Sequence, residues 1–111
     1  MASDESIILS EFWDDPDMSE LVEEFAQRLP GLVAELGDAV ENRDEANAAK
    51  IAHQLKGAGG GYGYPEVSSL AGKLEHELRS GQGLDGETPS MVRSLFELAE
   101  RVRRGVTRDA A

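Results

Sequence analysis

Apolar residues recur every three to four positions through most of this chain, and nowhere do they alternate with the two-residue period of a strand. Met18, Leu21, Val22, Phe25, Leu29, Leu32, Val33, Leu36 and Val40 keep one helical phase straight through Pro30 and Gly31. That continuity predicts two collinear or kinked segments sharing one buried stripe, with the bend at Pro30 and Asp17 or Ser19 capping the start. Asn42 and Arg43 form a short turn, and Asp44 is the expected N-cap of a second helix that runs to about Tyr62 and stops at Gly63. A third helix opens at Pro65, buries Val67, Leu70, Ala71, Leu74 and Leu78, and ends at Ser80-Gly81. Gln82 to Glu87 reads as a glycine-rich loop. Thr88 then caps a fourth helix whose stripe is Val92, Leu95, Phe96, Ala99 and Val102. Four amphipathic helices on mostly short connections predict an all-α fold, an antiparallel up-down four-helix bundle. The segment around Ile7, Ile8, Leu9, Phe12 and Trp13 is expected to lie across one end as a short N-terminal lid helix.

At 111 residues the chain makes a single domain, residues 1–111, with its core over about 10–105. It has no cysteine, which removes disulfides, thiolate nucleophiles and cysteine metal sites from consideration. The net charge of −11 is lopsided: residues 1–50 hold 14 acids against three bases, and residues 51–111 hold eight of each. Such acidity argues against nucleic-acid binding, which calls for a basic stripe. The one basic cluster, Arg101, Arg103, Arg104 and Arg108, suits the last turns of a helix, where the macrodipole favours cations. Ile7-Ile8-Leu9 is too short for a signal sequence and lacks a basic lead, and no segment approaches the length of a membrane span. The expectations are no membrane partner and a cytoplasmic location. An initial Met and a short polar tail from Thr107 to Ala111 favour a free-standing protein.

The second helix carries the unusual feature. With about 100° per residue, Ala48, Ile51, Ala52, Leu55, Ala58, Gly59 and Tyr62 gather on one side, and His53 points the opposite way. Its neighbours at i−4, i+4 and i+7 are Ala49, Gly57 and Gly60, so little side chain stands beside it, and Lys56 at i+3 is the one long cation within reach. Gly57, Gly59, Gly60 and Gly61 each cost a helix roughly 1 kcal/mol relative to alanine. Gly59, on the core side, is expected to allow close approach of a neighbouring helix. Gly57 and Gly60, on the histidine side, are expected to clear space for a partner. An exposed imidazole on a bare platform beside an ammonium suits a visiting reactive group such as a phosphoryl.

Glu75 lies about 80–100° off the stripe of its own helix, on the flank facing a neighbour. If the second and third helices pack antiparallel about Gly63–Tyr64, His53 and Glu75 come level. A carboxylate there accepts Nδ1–H, fixes the tautomer and leaves Nε2 free as the nucleophile. His76, opposite the stripe of the third helix with no glycine platform, is expected to be exposed and inert. A metal site is not expected, since the two histidines lie on different helices and there is no i,i+4 pair. The glycine run lacks the preceding strand and the Gly-Lys-Ser/Thr ending of a phosphate-binding P-loop.

The run AHQLKGAGGGYGYPEVSSLAGKLE, residues 52–75, resembles the signature of histidine-containing phosphotransfer (HPt) domains of two-component phosphorelays. The likeness lies in Ala-His-x-Leu-Lys-Gly, in Gly63 ten residues past the histidine, and in Leu70, Leu74 and Glu75 downstream. The resemblance implies a four-helix bundle that takes a phosphoryl group on His53 from a receiver-domain aspartyl phosphate and passes it to another receiver. It implies that Lys56 stands by the phosphoryl oxygens, that Gly57 gives the receiver clearance and that Glu75 orients the imidazole. Small residues such as Ala or Ser are commoner in the family where this chain has Gly60 and Gly61, and glutamine occurs in some members where it has Glu75.

Receiver docking is expected around Ala46, Ala49, Lys50, Gly57, Gly60 and Tyr64. The implied partners are response-regulator receiver domains and a hybrid sensor histidine kinase, and the expected oligomeric state is a monomer. No cofactor is expected on this chain, the Mg²⁺ residing on the receiver, so the protein reads as a phosphoryl carrier and not an enzyme. Two other readings stay open: a non-phosphorylated helical adaptor that binds receivers, and the phosphoacceptor module of a chemotaxis-type histidine kinase.

Overall fold

The computed structural model describes residues 7–80 and 84–110, with side chains through Val106. Among the described residues there is no strand, and four helices follow in order: α1 (Ser19–Glu41), α2 (Glu45–Gly61), α3 (Pro65–Arg79) and α4 (Thr88–Ala110). The expected stop at Gly81, the loop residues Gln82 and Gly83, and the side chain of Arg108 lie outside the described residues. Packing runs α2 on α3, α1 on α4, α1 on α2 and α3 on α4, a closed ring compatible with a four-helix bundle.

One unbroken helix stands where two segments are expected at the start. Pro30 lies inside α1, and Val22, Phe25, Ala26, Leu29, Val33, Leu36 and Ala39 are buried on both sides of it. Burial of that stripe outweighs the backbone hydrogen bond that proline removes. Neither Asp17 nor Ser19 caps α1. Met18 holds the N-cap position without a side-chain bond, and the Asp15 carbonyl accepts from the N–H groups of Met18 and Ser19 at 3.0 and 2.9 Å. At α2 the expected cap is in place, Asp44 Oδ1 accepting from Asn47 N–H at 3.3 Å. Pro65 opens α3, where its missing N–H costs nothing.

The turn after α2 fixes the entry of α3. Gly63 takes φ +82°, the Tyr64 N–H reaches back to the Gly59 carbonyl at 2.8 Å, and the Gly63 N–H to the Gly60 carbonyl at 3.3 Å. This is a Schellman ending, and it swings the residue after the glycine back toward the core. Tyr64 is fully buried, its ring centroid 5.9 Å from that of Phe25, which also stacks on Tyr62 at 4.8 Å. Burial, assisted by the charge of Glu66, pushes the Tyr64 phenol up to about 12.

The expected lid helix is absent: residues 7–10 have no regular structure and residues 11–14 are turns. The segment is an irregular strap. Its backbone bonds to other elements, Ile8 N–H to the Arg101 carbonyl at 3.0 Å and Glu11 N–H to the Gly63 carbonyl at 2.8 Å. The buried Ser10 hydroxyl donates to the Tyr62 carbonyl at 2.6 Å and accepts from Phe12 N–H at 2.9 Å. A short run with two β-branched residues gains little as an isolated helix, while these contacts satisfy its backbone.

Candidate functional site

Close approach of α3 to α2 builds the site. A Cβ on Gly59 would sit 2.9 Å from the Ser68 backbone nitrogen and 3.1 Å from Val67 Cγ1, so only glycine allows this spacing. The Ser68 hydroxyl donates to the Lys56 carbonyl at 2.9 Å and pins the same level. Two turns further along α3, Glu75 reaches His53.

The His53 side chain is 67% exposed and its Nδ1 lies 3.1 and 3.3 Å from the two Glu75 carboxylate oxygens. Glu75 is only 14% exposed and also accepts from Arg79 Nε at 3.0 Å. Burial pushes the Glu75 carboxyl up, but the hydrogen bonds and charges of His53 and Arg79 outweigh it and leave the group below the usual carboxylate range. An ionised carboxylate only accepts, so Nδ1 carries the proton of this bond, and in the neutral ring Nε2 keeps its lone pair.

The sign of the Glu75 shift sets a pH dependence. A folded-state pKa below the unfolded one gives stability that is complete above about pH 4.3, the free glutamate value, and is lost as pH falls through the folded pKa. Urea midpoints should therefore drop more between pH 6 and pH 3 for the wild type than for Glu75→Gln. Parallel curves would contradict the assignment.

Lys56 is exposed one turn after His53, and its stem runs over Gly72 of α3, where a Cβ would lie 3.4 Å from the lysine Cδ. Gly57 is exposed, and a Cβ added to it would meet nothing within 4 Å, whereas one on Gly60, also exposed, would face the Ser68 hydroxyl at 3.5 Å. Ala46 and Lys50 are exposed. Ala49 and Tyr64 are corrections. Ala49 is 5% exposed, its methyl lying on the floor of a groove whose wall is Leu78 and Arg79 of α3, and Tyr64 is turned inward by the Gly63 ending. His76 is exposed on α3, away from this cluster of contacts. Arg79, Gly72 and Ser68 join the site without having stood out in the sequence; the Glu75–Arg79 spacing of four is the one readable signal among them.

Among the described residues no group of three or more His, Asp or Glu side chains is placed to hold a metal ion, and no helix is long and apolar enough to cross a membrane. The chain matches the Hpt domain family over residues 20–105. It belongs to that family. The match takes in all the residues of the His53 site, and an Hpt domain is a phosphocarrier module of two-component signalling that works with receiver domains and kinases. No curated protein and no solved structure matches this Hpt domain.

Proposed function

We propose that this Hpt domain is a phosphorelay intermediate, His53 accepting a phosphoryl group from the aspartyl phosphate of one receiver and passing it to another. The observation that carries the reading is the imidazole itself, its side chain 67% exposed and tied at Nδ1 to a carboxylate that is only 14% exposed. The Nε2 lone pair attacks phosphorus, the N–P bond forms, and the P–O bond to the aspartate breaks with its electron pair leaving on the carboxylate. The ring becomes cationic with its proton still on Nδ1, and Glu75 balances that charge. No proton has to move. Reversal onto a second aspartate completes the relay.

Positioning and charge neutralisation carry most of a phosphoryl transfer. This chain offers a nucleophile and Lys56 one turn beyond it, so the Mg²⁺ and the remaining stabilisation are assigned to the receiver and no cofactor to the Hpt domain. The receiver docks over Ala46, Lys50, Gly57 and Gly60. An antiparallel up-down bundle forming one domain is supported by the level pairing of His53 with Glu75 and by the strap, which touches both the α2–α3 turn and late α4. A cytoplasmic monomer fits the same reading.

The test is incubation with a phosphorylated receiver, which should leave an acid-labile, alkali-stable phosphate on the Hpt domain. Binding without label would instead make it an adaptor. Lys56→Ala should slow transfer roughly tenfold, below the usual cost of a buried oxyanion donor because the lysine is solvated. Its thermal unfolding should stay close to wild type; equal transfer rates in stopped-flow would remove the lysine from the mechanism.

A further inference from the structure

One oxygen of Glu75, Oε2, serves two donors: His53 Nδ1 at 3.1 Å and Arg79 Nε at 3.0 Å. An ordinary exposed i,i+4 ion pair contributes only a few tenths of a kcal/mol, so stability is a poor account of this arginine. The pair is unusual in that its acid is mostly enclosed between α2 and α3 and touches the reactive ring. A glutamate has three side-chain torsions, and contacts to one ring nitrogen alone leave the carboxylate free to swing away. A second donor to the same oxygen, delivered by a planar guanidinium from the same helix, holds it in place.

We propose that Arg79 is a positioning residue for His53: it anchors the Glu75 carboxylate, and through it the Nδ1–H tautomer that leaves Nε2 open. Arg79 also walls a groove of about 480 Å³ with Glu45, Ala46, Ala49 and Leu78. Ala49 stands one turn before His53, so a partner seated in that groove touches the guanidinium directly. Arg79 thus joins the docking surface to the ring. The transfer arm of this proposal rests on His53 being the phosphoacceptor; the tautomer arm does not.

The experiment is ¹⁵N NMR of the His53 ring at about pH 8.5, where imidazoles are neutral, in a His76→Gln background so that one ring is observed. The Hpt domain with Arg79 intact should show the Nδ1–H form almost alone. Arg79→Ala should bring in the Nε2–H form to about half or more, and Arg79→Lys, whose ammonium reaches Glu75 across one turn, should restore most of the Nδ1–H signal. In a Glu75→Ala background, Arg79→Ala should change nothing further. Transfer from a phosphorylated receiver, measured at saturating receiver, should fall about two- to fivefold in Arg79→Ala, in step with the competent tautomer fraction. An unaltered tautomer in Arg79→Ala, or an equal loss in the Glu75→Ala background, overturns the proposal. A protein that never takes label but shows the tautomer shift overturns the relay reading and keeps Arg79 in its positioning role.

Discussion

His53→Gln should abolish receiver-dependent phosphorylation outright, while His76→Gln should accept label at the wild-type rate. Glutamine keeps the size and polarity of the side chain but has no nitrogen lone pair able to form an N–P bond, because the amide nitrogen is conjugated with its carbonyl. The exposed position means the substitution has no packing cost to confuse the result. His76 provides the internal control: it is the same residue type and also exposed, but it stands on α3 away from the Glu75 carboxylate contacts. Autoradiography after alkaline and acid washes reads both variants in one gel. Label surviving in His53→Gln, or vanishing in His76→Gln, moves the acceptor elsewhere.

The second large effect concerns stability. Gly63→Ala should lower it by about 3 kcal/mol, combining the left-handed backbone penalty with overpacking. The added methyl would meet the Ser10 hydroxyl at 2.6 Å and the Glu11 backbone nitrogen at 2.9 Å, and the strap has to yield. For a domain of this size that is roughly 10–20 °C in Tm. Gly57→Ala should act in the opposite sense, raising stability by up to about 1 kcal/mol, because the site is helical and open. If the docking surface is as proposed, the same methyl slows transfer, so a more stable protein becomes a poorer carrier. Calorimetry of the two variants decides the matter: shifts of the same sign would contradict either the strained Gly63 turn or the open Gly57 face.

Much of this is legible in the residues because helices advertise themselves locally. The phase of Val22, Phe25, Leu29, Val33 and Leu36, the Asp44 cap and the proline at 65 depend on neighbours within one or two turns, although Leu21 and Phe96, read as stripe residues, are 47% and 41% exposed. Even the pairing of His53 with Glu75 reduces to counting residues from a turn marked by glycine. What escapes such reading depends on which distant segment arrives. Ala49 is covered by the end of α3, and Tyr64 is turned inward by a left-handed residue, so helical phase alone misplaces both. The strap escapes for a similar reason: Ile7 to Ser10 has no period of its own, and its hydrogen bonds end on carbonyls some fifty and ninety residues away. Pro30 shows the reverse case, a local breaker overruled by a buried stripe.

The bond from Ile8 to Arg101 has a consequence for how the chain comes off the ribosome. A nascent polypeptide grows at about 5–20 residues per second, so the first segment waits several seconds for its seat to be synthesised. During that wait Ile8 has nowhere to bury, and the end of the bundle it closes stays unlatched. Docking of the strap is therefore a late step of maturation, and Ile8→Ala should weaken it while leaving the helices already paired by then indifferent.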